Sequence, residues 1–230
     1  MVLSYLLSGD IQTALINLFV LLFVVACINP VHEFAHAFAA YKMGDNTAKN
    51  AGRLTLNPIA SFDLFGTLMF LLVGIGWAKP VPINPRNFKN QKAGTVITAA
   101  AGPLSNLLVA FISALVIGAI YRFAPQTNMW QTGVTAFSLL MQINIMLAVF
   151  NLIPLPPLDG SRIAAGLLPD KIYFKIFQYD RIIRNALMGF MLLAMLLNRF
   201  DIDLFFPIRW VESVIAKGFL ECAFLIFGLK

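Results

Sequence analysis

Two histidines and a glutamate lie close together in the segment His32-Glu33-Phe34-Ala35-His36. Histidines four residues apart lie on the same face of a helix, so both imidazoles can reach one metal ion. Zinc accepts imidazole nitrogens in tetrahedral sites, and a glutamate beside the first histidine can act as a general base there. The segment therefore predicts a zinc site with His32 and His36 as ligands and Glu33 as the base.

These are the only two histidines in the chain, and they follow a long apolar stretch. Strongly polar side chains are unfavourable in an apolar helix, so three of them together indicate a bound partner that compensates for their loss of water. A catalytic zinc has three protein ligands and one open position. A third ligand must therefore come from another part of the chain.

Asp159 is the candidate for the third ligand. It directly follows an apolar helix candidate, at the end of a segment, 151–159, that contains three prolines. Prolines remove backbone donors and stiffen the chain, which could hold a carboxylate in a fixed position at membrane depth. The alternative is that Asp159 caps a helix that begins near Ser161. The residues alone leave both roles open, and we favour the ligand.

The composition indicates a membrane protein. Of the 230 residues, 59% are hydrophobic and 12% are charged, and the mean hydropathy is +0.79. Several apolar stretches approach the roughly 20 residues that a helix needs to cross a bilayer. We therefore predict an all-α polytopic membrane protein with about five to six transmembrane helices. Residues 1–230 are expected to form a single domain with its catalytic core at about 11–200.

Hydrophobic patterning and turn residues predict where the main helices lie. Pro30 should bend the first of them. The last segment, 205–227, mixes apolar and charged residues, so we expect a helix that lies along the membrane interface. The other predicted helices cover residues 11–43, 94–121, 132–150, 161–168 and 182–197.

Residues 64–85 have a different pattern. The apolar run 64–77 is short for a span and rich in glycine, and prolines follow it at positions 80, 82 and 85. Prolines favour extended backbone. We predict a re-entrant hairpin or a short β segment near 64–85, with a tilted span as the alternative.

The net charge of +6 comes from basic residues in short loops. Seven Lys or Arg residues lie between positions 42 and 92 and five between 162 and 184, whereas the turn 122–131 holds only Arg122. Basic loops face the cytosol and anionic lipid, and both basic regions lie on that side if residues 64–77 are re-entrant. We therefore expect a multi-pass protein of the cell membrane with its N-terminus outside and the site toward the cytosolic side. The bilayer, and not nucleic acid, is the expected partner of these charges.

The two motifs together resemble the site-2 protease family of intramembrane metalloproteases, peptidase family M50. The family pairs an HExxH helix, here 32–36, with a downstream NxxPxxxLDG segment, here 151–160. The resemblance is to the small, compact branch of the family without a PDZ insertion or a nucleotide-binding domain. It implies hydrolysis of peptide bonds within or next to transmembrane helices of substrate proteins, for regulation or for clearance of signal-peptide remnants.

The resemblance also implies residue roles. One Zn²⁺ per chain would be held by His32, His36 and Asp159, with Glu33 as the base. Asn151 would hold the substrate strand or stabilise an oxyanion, although it could instead end a helix. Asn106 lies in a Gly-Pro-x-x-Asn element and would contact substrate, although it could instead form a hydrogen bond between helices. We also expect an unwound substrate strand to pair with the extended segment that contains Lys79, Pro80, Val81 and Pro82.

Two other functions fit parts of the sequence. A membrane zinc carrier or scaffold would need the three ligands but not Glu33 as a base. A transporter would be expected to have more membrane-buried ionisable residues, whereas this chain concentrates them in one place. The behaviour of Glu33 therefore separates a protease from a zinc-binding protein.

Overall fold

The computed structural model describes residues 9–73, 78–169, 179–197 and 203–229. This part of the chain is helical and contains no strand, which confirms the all-α prediction there; the short β segment predicted as one possibility near 64–85 does not form in residues 64–73 or 78–85. The helices are α1 Ile11–Phe23, α2 Asn29–Lys42, α3 Thr47–Asn50, α4 Pro58–Ser61, α5 Leu64–Val73, α6 Gln91–Phe123, α7 Asn128–Asn151, α8 Asp159–Leu167, α9 Asp180–Leu197 and α10 Phe206–Ile226.

Three continuous helical stretches of the described chain are long and apolar enough to cross a membrane. They are Ile11–Lys42, Gln91–Phe123 and Asn128–Asn151, with 32, 33 and 24 residues. A larger number of spans stays a prediction. So does the re-entrant hairpin, because residues 74–77, where the chain would reverse, lie outside the described residues.

The first span changes its winding just before Pro30. Residues Val24–Ile28 form a π-helical turn, in which the N–H of Asn29 donates to the carbonyl of Val24. Proline cannot donate to the preceding turn, and its ring crowds the carbonyl one turn back. The wider π turn accommodates this misfit without ending the helix. The structure therefore has a local change of helical pitch immediately before the histidine segment, and the bend at Pro30 stays a prediction.

Small residues let the long helices pack closely around α6. Ala110 and Ala114 of α6 are fully buried against Met141 and Ile145 of α7, together with Ala223 of α10. Small side chains permit a close approach of helix backbones where apolar surface alone gives little driving force in lipid. The C-terminal helix α10 therefore packs along α6 and α7.

Buried Asp45 fixes the chain after α2. Its carboxylate accepts hydrogen bonds from the backbone N–H of Asn84 at 2.8 Å, the side-chain amide of Asn87 at 2.8 Å and the backbone N–H of Thr47 at 3.0 Å. Burial alone would raise the pKa of Asp45, but hydrogen bonds from Thr47, Asn84 and Asn87 outweigh it and lower that pKa. This cluster ties the end of the first span to the segment at 84–87.

Candidate metal centre

Three potential ligand atoms converge where α2 faces the start of α8. The Nε2 atoms of His32 and His36 are 3.0 Å apart. Oδ2 of Asp159 lies 3.4 Å from Nε2 of His32 and 3.2 Å from Nε2 of His36. Ligands of a tetrahedral zinc lie roughly 3.3 Å from one another, given metal–ligand distances of about 2.0–2.2 Å. Two imidazoles and a carboxylate at these separations fit a zinc ion.

Each histidine is oriented by a hydrogen bond from its other ring nitrogen. Nδ1 of His32 donates to Oδ1 of Asn106 at 2.8 Å, and Nδ1 of His36 donates to the backbone carbonyl of Thr98 at 2.7 Å. A proton on Nδ1 leaves the lone pair of Nε2 free for a metal. The outer contacts from α6 therefore set the tautomers that metal binding requires.

Gly102 gives the histidine rings the space they occupy. A Cβ atom at this position would lie 2.3 Å from Nε2 of His36 and 2.6 Å from Cε1 of His32. Real Cβ atoms do not approach other atoms so closely. Any larger residue here would enter the space between the metal-binding edges of the two imidazoles.

The carboxylate of Asp159 reaches the histidines because the chain folds back tightly after α7. Asp159 is the first residue of α8, and Leu158 occupies the N-cap position. At the next position, Gly160, a Cβ atom would lie 2.2 Å from the carbonyl oxygen of Leu152 and 2.5 Å from that of Ile153. Glycine is therefore required beside the aspartate, and the side chain of Asp159 contacts the histidines instead of capping a helix.

Glu33 contacts the extended segment after residue 78. The backbone N–H of Val81 donates to Oε2 of Glu33 at 3.1 Å. Two hydrogen bonds anchor the same segment at Lys79. A side-chain nitrogen of Arg53 donates to the carbonyl of Lys79 at 2.6 Å, and the N–H of Lys79 donates to the carbonyl of Ser61 at 3.0 Å. The predicted base and the predicted substrate-binding segment therefore lie side by side.

The other predicted site residues have different surroundings. The side-chain amide of Asn151 donates to the carbonyl of Leu147 in the last turn of α7 at 2.9 Å, which favours the role at the helix end. Asn106 is only 2% exposed and makes the interhelical hydrogen bond to His32 described above. Lys79, Pro80 and Pro82 are exposed. Catalytic or substrate-binding roles for these residues stay predictions.

The centre is largely buried but not sealed from solvent. The side chains of His32, His36 and Asp159 are 13%, 7% and 15% exposed. A small molecule can reach a metal ion there, whereas most of the surface of the three side chains is shielded from bulk water. This combination suits a catalytic site, which needs one open coordination position.

Sequence reasoning did not identify two contributors. Thr98 acts through its backbone carbonyl, which every residue has, so its side chain gives no signal. Gly102 carried a weak signal, because a Gly-Pro pair in the middle of an apolar helix is unusual, but its packing against imidazoles depends on the approach of α2.

Comparison with known proteins places the chain in a family. The profile of Peptidase family M50 matches residues 117–197, which include Asn151 and Asp159. YwhC of Bacillus subtilis, provisionally named a zinc metalloprotease, is 46% identical over 152 residues, or 65% of this chain and 69% of YwhC. The chain belongs to peptidase family M50.

Two further relatives agree with this membership. Rip2 of Mycolicibacterium smegmatis, also provisionally named a zinc metalloprotease, is 32% identical over 137 residues, or 56% of this chain and 50% of Rip2. Zinc metalloprotease MJ0392 of Methanocaldococcus jannaschii is 30% identical over 185 residues, or 79% of this chain and 43% of that protein. The chain thus spans half or less of the length of these two relatives. No solved structure matches it.

Proposed function

We propose that this M50 protein is a zinc-dependent intramembrane endopeptidase that hydrolyses peptide bonds within or next to transmembrane helices of substrate proteins. The observation that carries the proposal is the set of distances among the ligand atoms of His32, His36 and Asp159, which fit one tetrahedral zinc. Glu33 lies on the same helix as the two histidines. The names of the relatives, which call them zinc metalloproteases, agree with this chemistry. One Zn²⁺ per chain is the expected cofactor.

The protein's own residues would perform the proton transfers. When bound, zinc supplies Lewis acidity, which polarises a carbonyl group and makes water a better nucleophile. Glu33 would take a proton from the attacking water and deliver it to the leaving amine nitrogen. The hydrogen bond from Val81 occupies one lone pair of the carboxylate and leaves others for this proton.

The substrate would have to be locally unwound. An amide in a helix is hydrogen-bonded within the helix and surrounded by its side chains, so water cannot attack it there. The extended segment at 79–84 supports pairing with an unwound strand through backbone groups. The segment has few free N–H groups, because Pro80 and Pro82 have no N–H and the N–H of Val81 donates to Glu33. Substrate pairing would therefore use mainly carbonyl oxygens of this segment as acceptors.

The bilayer is the proposed environment, with the N-terminus outside and the metal centre toward the cytosolic side. His32 and His36 lie in the final third of the span Ile11–Lys42. Basic residues Lys42 and Lys49 follow them directly, as the positive-inside rule expects of a cytosolic loop. The expected partners are a transmembrane substrate and lipid.

The proposal is tested with protein purified in detergent. Metal analysis should find about one zinc per chain in the wild type and much less in Asp159→Ala, because two imidazoles alone form an incomplete site. The wild type should cleave members of a panel of transmembrane peptides, and the chelated protein should not. A zinc-loaded, folded protein that cleaves no peptide of the panel would argue for a zinc carrier or scaffold.

A further inference from the structure

A cavity of about 230 Å³ lies beside the metal centre. Its walls come from the same elements that build the centre. Ile83 and Pro85 belong to the segment after Val81, Thr98 belongs to α6, and Arg162 belongs to α8. The cavity is partly open, so a side chain or chain end of a bound peptide can enter it.

One hydrogen bond and one helix spacing connect this cavity to the proposed ligands. The carbonyl of Thr98 accepts the hydrogen bond from Nδ1 of His36, so the residue that lines the cavity also orients a ligand. Arg162 follows Asp159 by three residues in α8, and residues three apart in a helix are neighbours on its surface. A group bound in the cavity would therefore lie about one helical turn from the metal centre.

The polar groups of the cavity are suited to an anion. Within the described residues, Arg162 makes no ion pair or hydrogen bond, and no acidic residue among them lines the cavity. The hydroxyl of Thr98 is buried, with the residue 2% exposed, and has no hydrogen-bond partner in the described chain. A buried hydroxyl without a hydrogen-bond partner is unfavourable, so a ligand that accepts a hydrogen bond from it would be stabilised.

We propose that this cavity is a substrate subsite for a carboxylate group close to the scissile bond, bound by Arg162 and Thr98. The guanidinium donates two parallel hydrogen bonds to a carboxylate, and the threonine hydroxyl donates a third. The carboxylate comes either from an Asp or Glu side chain of the substrate or from the free C-terminus of a membrane peptide. This inference rests on the proposed protease function, for which it defines a preferred class of substrate.

Pairs of transmembrane peptides test the subsite. Members of each pair differ only by Glu or Gln at one position near the cleavage site, and a further pair ends in a free carboxylate or in an amide. The wild type should cleave one acidic peptide with a kcat/KM about tenfold above its neutral partner, the effect of one charge-assisted interaction. A preference in the last pair alone assigns the site to a chain terminus, and a preference in an internal pair assigns it to a side chain.

Variants locate the preference. Arg162→Gln should reduce the acidic-to-neutral ratio to about one, and Arg162→Glu should favour Lys over Glu at the same position. Arg86→Glu makes the same charge change on an exposed side chain outside the cavity, and it should keep the wild-type ratio. Because each ratio is measured within one preparation, partial loss of folded protein does not affect it. Equal rates for every wild-type pair, or an unchanged ratio in the Arg162 variants, would overturn the proposal.

A binding measurement separates this inference from the protease function. If no peptide is cleaved, the affinities of the fluorescent acidic and neutral peptides for Glu33→Gln protein are compared by anisotropy. About tenfold tighter binding of an acidic peptide supports the subsite even where hydrolysis is absent. Equal affinities across all pairs would refute it.

Discussion

The backbone N–H of Val81 donates a hydrogen bond to the Glu33 carboxylate, with 3.1 Å between the nitrogen and Oε2. Prolines flank Val81 on both sides, so it provides the sole backbone donor of residues 80–82. The segment that faces the substrate in our proposal therefore also positions the base. Loss of this one amide proton should affect hydrolysis without affecting the metal.

Val81→Pro tests this positioning. The variant removes the N–H, and we expect kcat to fall about tenfold, as for the loss of one hydrogen bond to a charged group, with zinc content unchanged. Val81→Ala is the control, because it keeps the N–H but removes the buried side chain, which is 7% exposed. Kinetics with kcat and KM measured separately distinguish the two. An equal loss of kcat in both variants would assign the effect to side-chain packing.

Asn106 should control zinc affinity through His32. Asn106→Leu removes the acceptor that holds Nδ1 of His32, and we expect zinc affinity to fall about 10–100-fold, as for other outer contacts of metal ligands. Asn106→Asp keeps an oxygen acceptor and should retain most of the affinity. Competition with a chelator measures both. Wild-type affinity in the leucine variant would show that the hydrogen bond does not orient the ligand.

Gly102→Ala should prevent metal binding by steric conflict. The added Cβ would lie 2.3 Å from Nε2 of His36, so the imidazole must leave its position. We expect less than a tenth of the wild-type zinc content by metal analysis, in keeping with the displacement of a ligand. Gly189→Ala is the matched control, since a Cβ there meets no atom within 4 Å. Full zinc occupancy in Gly102→Ala would contradict the close approach of α6.

Asp45 should make stability depend on pH below neutrality. Its pKa is lowered in the folded protein, so its contribution is complete above its unfolded pKa of about 4 and is lost as the pH falls through the lower folded pKa. Asp45→Asn should reduce Tm at pH 7 by a few degrees, roughly 2–4 °C for each kcal/mol lost.

The Tm difference between the wild type and Asp45→Asn should stay constant from pH 7 to 5 and narrow below about pH 4. Thermal unfolding in detergent at several pH values measures it. Glu221→Gln removes a negative charge that is 64% exposed and should leave Tm nearly unchanged. A difference that widens as the pH falls would contradict the role of Asp45.

Short-range features of the site could be predicted from sequence. The spacing of His32 and His36 defines their shared helix face, and the proline-rich segment before Asp159 is readable as a rigid turn. The helix boundaries of α6, α7 and α10 also follow the apolar runs and their caps to within a few residues. These features depend on neighbours in the chain, which periodicity and turn chemistry report.

Long-range contacts could not be predicted in the same way. The carbonyl of Thr98 and the space at Gly102 matter only because α6 packs against α2. Thr98 and His36 are 62 residues apart in the sequence. The contact between Val81 and Glu33 depends on how the chain returns after α5. The π-helical turn before Pro30 is a compromise between proline geometry and continued helix, and the sequence indicated only the proline.

The central claim is that Glu33 performs hydrolysis at a zinc site it does not help to form. Glu33→Gln keeps the size of the side chain and a carbonyl oxygen that can accept the N–H of Val81, but it removes the basic carboxylate. The decisive measurement is zinc content together with the cleavage rate of a transmembrane peptide for this variant and the wild type. We predict about one zinc per chain in both and a rate at least about 10²-fold lower in the variant. Cleavage by zinc-loaded Glu33→Gln protein at the wild-type rate would contradict it.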